Sequence, residues 1–157
     1  RAAVWTLPSA RTKNGATHEV DLPSLALEML DEQPDMGRYV FGATGDKPLQ
    51  GWSQAKRRLD ARMAELAHAD GADAPAPWRI HDCRRTAATG MASLGVQPLV
   101  IEKVLNHTSG RGGGLVGVYQ RFDYRQERRA ALDAWDTYVR RLIGRADGDN
   151  VVAFPGG

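Results

Sequence analysis

The sequence predicts a mainly helical α+β fold with a small N-terminal antiparallel β-hairpin. Three observations predict it. Two short, partly β-branched runs flank an Asn-Gly pair near the start. Apolar residues then recur at helical spacing through most of the remaining chain. Most glycines and prolines fall between those periodic stretches rather than inside them.

Taken in order, "AAVWTL" (2–7) and "THEVDL" (17–22) read as the strands, with "PSARTKNGA" between them. Asn14-Gly15 predicts a type I′ turn, which places Lys13 at the hairpin tip. His18, Val20 and Leu22 share one face of the second strand. "LPSLALEMLDEQ" (22–33) predicts a helix with Pro23 in its first turn and Leu25, Met29 and Leu30 toward the core. Residues 34–51 are rich in glycine and proline, with "YVF" (39–41) as a short buried strand. Ser53 is placed to cap the helix "QAKRRLDARMAELA", whose Leu59, Met63 and Leu66 form an apolar stripe. "HADGADAPAP" (68–77) is a loop by composition. A helix opening near His81 closes at Gly95, and Pro98 starts another, "PLVIEKVLNH". Gly110 to Gly114 break the chain. A long amphipathic helix from about Tyr124 to Ile143 is expected to bury Leu132, Trp135, Val139 and Leu142.

At 157 residues the chain suits one domain with a real core. The expected organisation is a domain over 1–143 and a loose tail over 144–157. No apolar run is long enough to span a membrane. The single cysteine, Cys83, excludes an internal disulfide framework, fits a reducing, cytoplasmic setting, and is expected as a buried thiol. Cys/His pairs at metal spacing are missing, so neither metal nor cofactor is expected.

The net charge is only +2, yet from His81 to Arg129 eight Arg or Lys face four acids. Positive charge is thus concentrated in one segment, as a phosphate-binding face requires, although composition alone fits a pair of solvated, salt-bridged helices better. Within it, His81 and Arg84 stand at i and i+3 on one helix face. A guanidinium matches phosphate oxygens bidentately, and an imidazole beside it completes a clamp. Arg85 points around the helix and is expected in solvent. His107 follows after a short helix, and Tyr119 twelve residues later, across "TSGRGGG" as slack. A tyrosine near such cations can attack phosphorus, with Tyr124 as a rival nucleophile. His18 and His68 lack a supporting pattern and are expected at the surface.

"HDCRRTAATGMASLGV" resembles the His-x-x-Arg box of the tyrosine recombinase (phage integrase) family. "VLNHTSG" is similar to its "LGH" box, "VYQRF" to its tyrosine segment, and "RTKNGATHEVDLP" to its lysine hairpin. The similarity runs in order from about residue 3 to 142, and the last helix is most like those of prophage-type integrases. The resemblance implies the catalytic-domain fold of that family and a catalytic set of Tyr119, Arg84, His81, His107 and Lys13. Arg84, His81 and His107 would hold the scissile phosphate, Lys13 would protonate the leaving 5′ oxygen, and Tyr119 would form a 3′-phosphotyrosyl bond. The implied partner is double-stranded DNA, bound by a tetramer. A further arginine of the family, upstream of the hairpin, has no counterpart in residues 1–12. The chain is therefore expected to be a catalytic-domain fragment with little activity alone. Type IB topoisomerase-like relaxation and a non-catalytic DNA-binding module are the alternatives.

Overall fold

The computed structural model describes residues 3–35, 37–42, 46–107 and 123–144. The element order is β1 (Ala3–Leu7), a 3₁₀ turn (Ser9–Arg11), β2 (His18–Leu22), α1 (Ser24–Asp31), α2 (Trp52–Ala69), α3 (Ile80–Ser93), α4 (Pro98–Val104) and α5 (Arg125–Leu142). The predicted class, helices with one small N-terminal hairpin, is the class found. The chain divides into two compact units, one running to Glu28 and resuming at His81, the other spanning Met29–Ile80.

In the first unit β1 and β2 pair antiparallel, with Trp5 opposite Val20 and Leu7 opposite His18. Side chains alternate across a strand, so these four share one face of the hairpin. The connection is longer than a type I′ turn. Residues 8–17 contain the 3₁₀ turn and then a turn from Thr12 to Gly15, closed by the Gly15 N–H on the Thr12 carbonyl at 3.3 Å. Gly15 has φ +68°, but Asn14, a central residue of this Thr12–Gly15 turn, does not take the left-handed conformation that a type I′ turn needs.

The core is Met91 from α3, Val100 and Ile101 from α4, and Ala131 from α5, with Val96, Tyr124 and Trp135 packed around it. Gly95 (φ +82°) ends α3 as predicted. Its N–H bonds the Ala92 carbonyl and the Val96 N–H bonds that of Met91, a Schellman motif whose hydrophobic pair, Met91 and Val96, lies in the core. Gln97 and Pro98 then start α4, proline serving where its missing N–H costs nothing. Gly90 lies within α3 because a Cβ there would overlap the Trp135 indole.

Helix α5 packs on α4 and β2, but not through the expected stripe. Its buried residues are Arg128, Ala131, Asp136 and Tyr138, while Leu132, Trp135 and Val139 are half-buried and Leu142 is exposed. Polar anchors explain the rotation. The Asp136 carboxylate accepts from the Leu25 N–H at 2.8 Å and Ser24 Oγ at 3.1 Å, capping α1 from a distant helix. Arg140 bonds Asp136 and Glu28, and these partners, Glu28 foremost, hold its guanidinium above the ordinary arginine range. Arg128 donates to the Glu19 carbonyl on β2 and to Asp123, both at 3.1 Å. This buried arginine is structural, and it leaves the count of cations open to a ligand.

The second unit departs more from expectation. Helix α2 starts after a left-handed Gly51, with Ser53 inside the helix rather than capping it. None of its residues is buried, and Leu59 and Leu66 are exposed. "YVF" forms no strand, and Val40 and Phe41 are exposed, as is Met29. Lys56 instead lies 3.9 Å over the Trp78 ring and pairs with Asp60 at 2.6 Å, beside a 320 Å³ hollow lined by Ala74 to Trp78. Among the described residues no helix is long and apolar enough to cross a membrane.

Candidate phosphate-binding site

The hairpin face that carries Trp5, Leu7, His18 and Val20 forms one wall of a cleft of about 620 Å³ in the first unit. Arg11, Lys13 and Asn14 line it from the loop, His81 and Arg84 from α3, and Leu105, Asn106 and His107 from the end of α4. Four of the five residues implicated by sequence thus border one space. The fifth, Tyr119, lies outside the described residues, as does the glycine run before it.

Local structure explains how each arrives. His81 is in the first turn of α3, and Arg84 follows one turn later on the same face. Arg84 is half-buried, and its Nη2 donates to the carbonyl of Leu105. Leu105 caps the C-terminus of α4, where carbonyls lack intrahelical partners. One edge of the guanidinium is therefore fixed by the helix end that precedes His107.

His107 owes its direction to Asn106. Asn106 has φ +51°, the left-handed conformation that asparagine tolerates better than most residues. Its N–H bonds the Lys103 carbonyl at 3.2 Å and the His107 N–H bonds that of Glu102 at 2.8 Å. This second Schellman motif turns the chain sharply, putting the exposed His107 on the cleft rim. Lys13 is exposed in the turn from Thr12 to Gly15, above the same rim. Asn14 Nδ2 donates to Asn106 Oδ1 at 2.8 Å, so the two turns are joined directly.

The cleft is cationic. Arg11, Lys13 and Arg84 line it together with three histidines, and no carboxylate does so among the described residues. Such a lining suits an anion with several oxygens. Among the described residues no cluster of three or more His, Cys, Asp or Glu is placed to hold a metal ion.

His18 corrects an expectation. It was expected at the surface, yet it is buried in the cleft wall, where its ring hydrogen-bonds the Val104 backbone. Burial, then the positive charges of Arg128 and Arg84, hold its pKa below the ordinary 6.5, although the Val104 bond and Asp123 act in the other direction. The signal available in sequence was its alternation with Val20. His68 is exposed, as expected. Cys83 is exposed rather than buried, because it projects from the opposite side of α3 to His81 and Arg84. Arg85 is solvent-facing, 3.8 Å from Asp82. Tyr124 packs against the core at the entrance to α5, with φ +51°.

Residues 1–120 match the model of the Phage integrase family. The matched span holds all five candidate residues and stops short of α5. No curated protein and no solved structure matches the chain.

Proposed function

Because this chain belongs to the phage integrase family, we propose that it is a site-specific DNA recombinase of a mobile element, working through a 3′-phosphotyrosyl intermediate. The observation that supports this reading best is the cleft bordered by Lys13, His81, Arg84 and His107, which no carboxylate lines among the described residues. A DNA phosphodiester carries one negative charge, and its pentacoordinate transition state carries more on the non-bridging oxygens. Donors fixed in advance around those oxygens stabilise the transition state more than the ground state.

On this reading Arg84 binds the non-bridging oxygens, its orientation set by the Leu105 carbonyl. His81 and His107 hydrogen-bond the same phosphate. The Tyr119 oxygen attacks phosphorus and loses its proton to His81, the bond from phosphorus to the 5′ oxygen breaks, and Lys13 supplies the proton that oxygen needs. The phosphotyrosyl bond keeps the energy of the broken phosphodiester, so a 5′ hydroxyl of another strand can reverse the reaction without a nucleotide. Joining two duplexes in this way takes four protomers.

Covalent trapping tests the reading. The intact protein is mixed, in chelator, with nicked half-site DNA carrying its own element's end, and adducts are resolved on a denaturing gel and peptide-mapped. The expected product is DNA linked to a peptide containing Tyr119, lost in Tyr119→Phe and kept in Tyr124→Phe. An adduct on Tyr124 would overturn the nucleophile. DNA binding with no adduct would leave a non-catalytic module.

A further inference from the structure

We propose that Asn14 and Asn106 form an amide latch that holds the Lys13 turn in register with the His107 turn. Both asparagines are then positioning residues for strand cleavage, a role that rests on the recombinase reading above. Each sits next in sequence to a residue of the cleft rim, Asn14 after Lys13 and Asn106 before His107. Their side chains meet at 2.8 Å across 92 positions of sequence.

The loop around Lys13 has little else to fix it. Among the described residues its other side-chain hydrogen bonds are internal, from Thr12 Oγ1 to the Ser9 and Ala16 carbonyls and from the Ala16 N–H to Asn14 Oδ1, as are its backbone bonds. Both ends of the Asn14 amide are thus in use, the oxygen shaping its own turn and the nitrogen reaching Asn106. Asn106 has a double task as well. Its backbone supplies the left-handed turn, and its side chain supplies the acceptor. Glycine, which stands in the "LGH" box that "VLNHTSG" resembles, would serve the turn equally and could not reach Asn14. The asparagine therefore adds something the turn does not require.

The latch acts on one proton transfer. When the bond from phosphorus to the 5′ oxygen breaks, the oxygen needs the Lys13 proton at that moment. A loop that wanders by about 1 Å can lose on the order of 10²-fold in rate. Asn106→Gly keeps the backbone and deletes the amide, and Asn14→Ala deletes the other half. Adduct formation is followed on half-site DNA with the ordinary phosphodiester and with a 5′-bridging phosphorothiolate, whose sulfur leaves without being protonated.

On the oxygen substrate each variant is expected to be about tenfold to a hundredfold slower. The double variant is expected to be no slower than the worse single one. On the sulfur substrate these defects are expected to vanish, as for Lys13→Ala, which a merely structural loss would not produce. Equal defects on both substrates, or none on oxygen, would overturn the latch. Hydrogen exchange over residues 8–17 needs no DNA chemistry and is expected to quicken in Asn106→Gly. Unchanged exchange would also overturn the latch, whereas wild-type protein forming no adduct on either substrate would overturn the recombinase reading instead.

Discussion

Helices α2 and α5 each run for 18 residues and each carries an apolar stripe at helical spacing, yet they differ in how much of themselves they bury. Helix α2 buries none of its residues, with Leu59 at 48% and Leu66 at 49% exposure. Helix α5 buries four, of which Arg128 and Asp136 are charged. The difference teaches that apolar spacing identifies a helix without saying what covers it. In α5 the packed face is chosen by Asp136 on the α1 N-terminus and Arg128 on the β2 backbone. Those anchors hold the unit that carries the cleft.

The sharpest test of that contrast is at the cleft itself. Arg84→Ala is expected to lower single-turnover adduct formation on the order of 10²–10³-fold. Arg84→Lys is expected to recover little, since an ammonium lacks the fork that meets both the Leu105 carbonyl and a phosphate. Full activity in the lysine variant would break the link between the guanidinium's fixed edge and its task.

Next in size is the anchor. Asp136→Ala removes the cap of α1 and leaves Arg140 short of a partner, and it is expected to cost on the order of 3 kcal/mol in urea unfolding. Gly90→Ala is expected to cost about 1–3 kcal/mol, because overlap with Trp135 outweighs the gain in helix propensity. Pairing it with Trp135→Leu is expected to return much of that loss. By contrast Leu59→Ala in α2 is expected to stay within about 0.5 kcal/mol. A large loss there would mean that the α2 stripe is a core after all.

A pH titration of stability tests the buried wall of the cleft. Native His18 binds a proton less readily than unfolded His18, whose pKa is near 6.5. As pH falls below about 6.5 the unfolded chain takes the proton first, so stability is full above that pH and declines below it, levelling off only under the lowered native pKa. His18→Gln is expected to flatten this part of the curve in chemical unfolding followed from about pH 7 to pH 5. An unchanged slope would assign the acid sensitivity to other groups.

Much was legible in sequence where the determinant is local. Gly95 and Pro98 mark helix ends by backbone stereochemistry alone, and His81 and Arg84 share a face by spacing alone. What could not be read depends on partners remote in the chain. Asp136 looks like a surface acid until Leu25 is placed beside it, and His18 like a surface histidine until the Val104 backbone is placed beside it. Asn14-Gly15 suggested a tight hairpin, and nothing local reveals that the Asn14 side chain is taken by Asn106. The stripe of α2 failed differently, since its period was right and its burial was not.

The left-handed backbone of Asn106 also limits how this position can change over generations. Glycine and asparagine codons are not connected by one base change, so passage between them goes through serine or aspartate. Serine accepts that backbone poorly, and aspartate would set a carboxylate beside His107, on a rim that under the recombinase reading receives phosphate. Either step is a disadvantage before the next can help. A lineage with asparagine here is therefore held to it, and one with glycine does not drift easily into the latch.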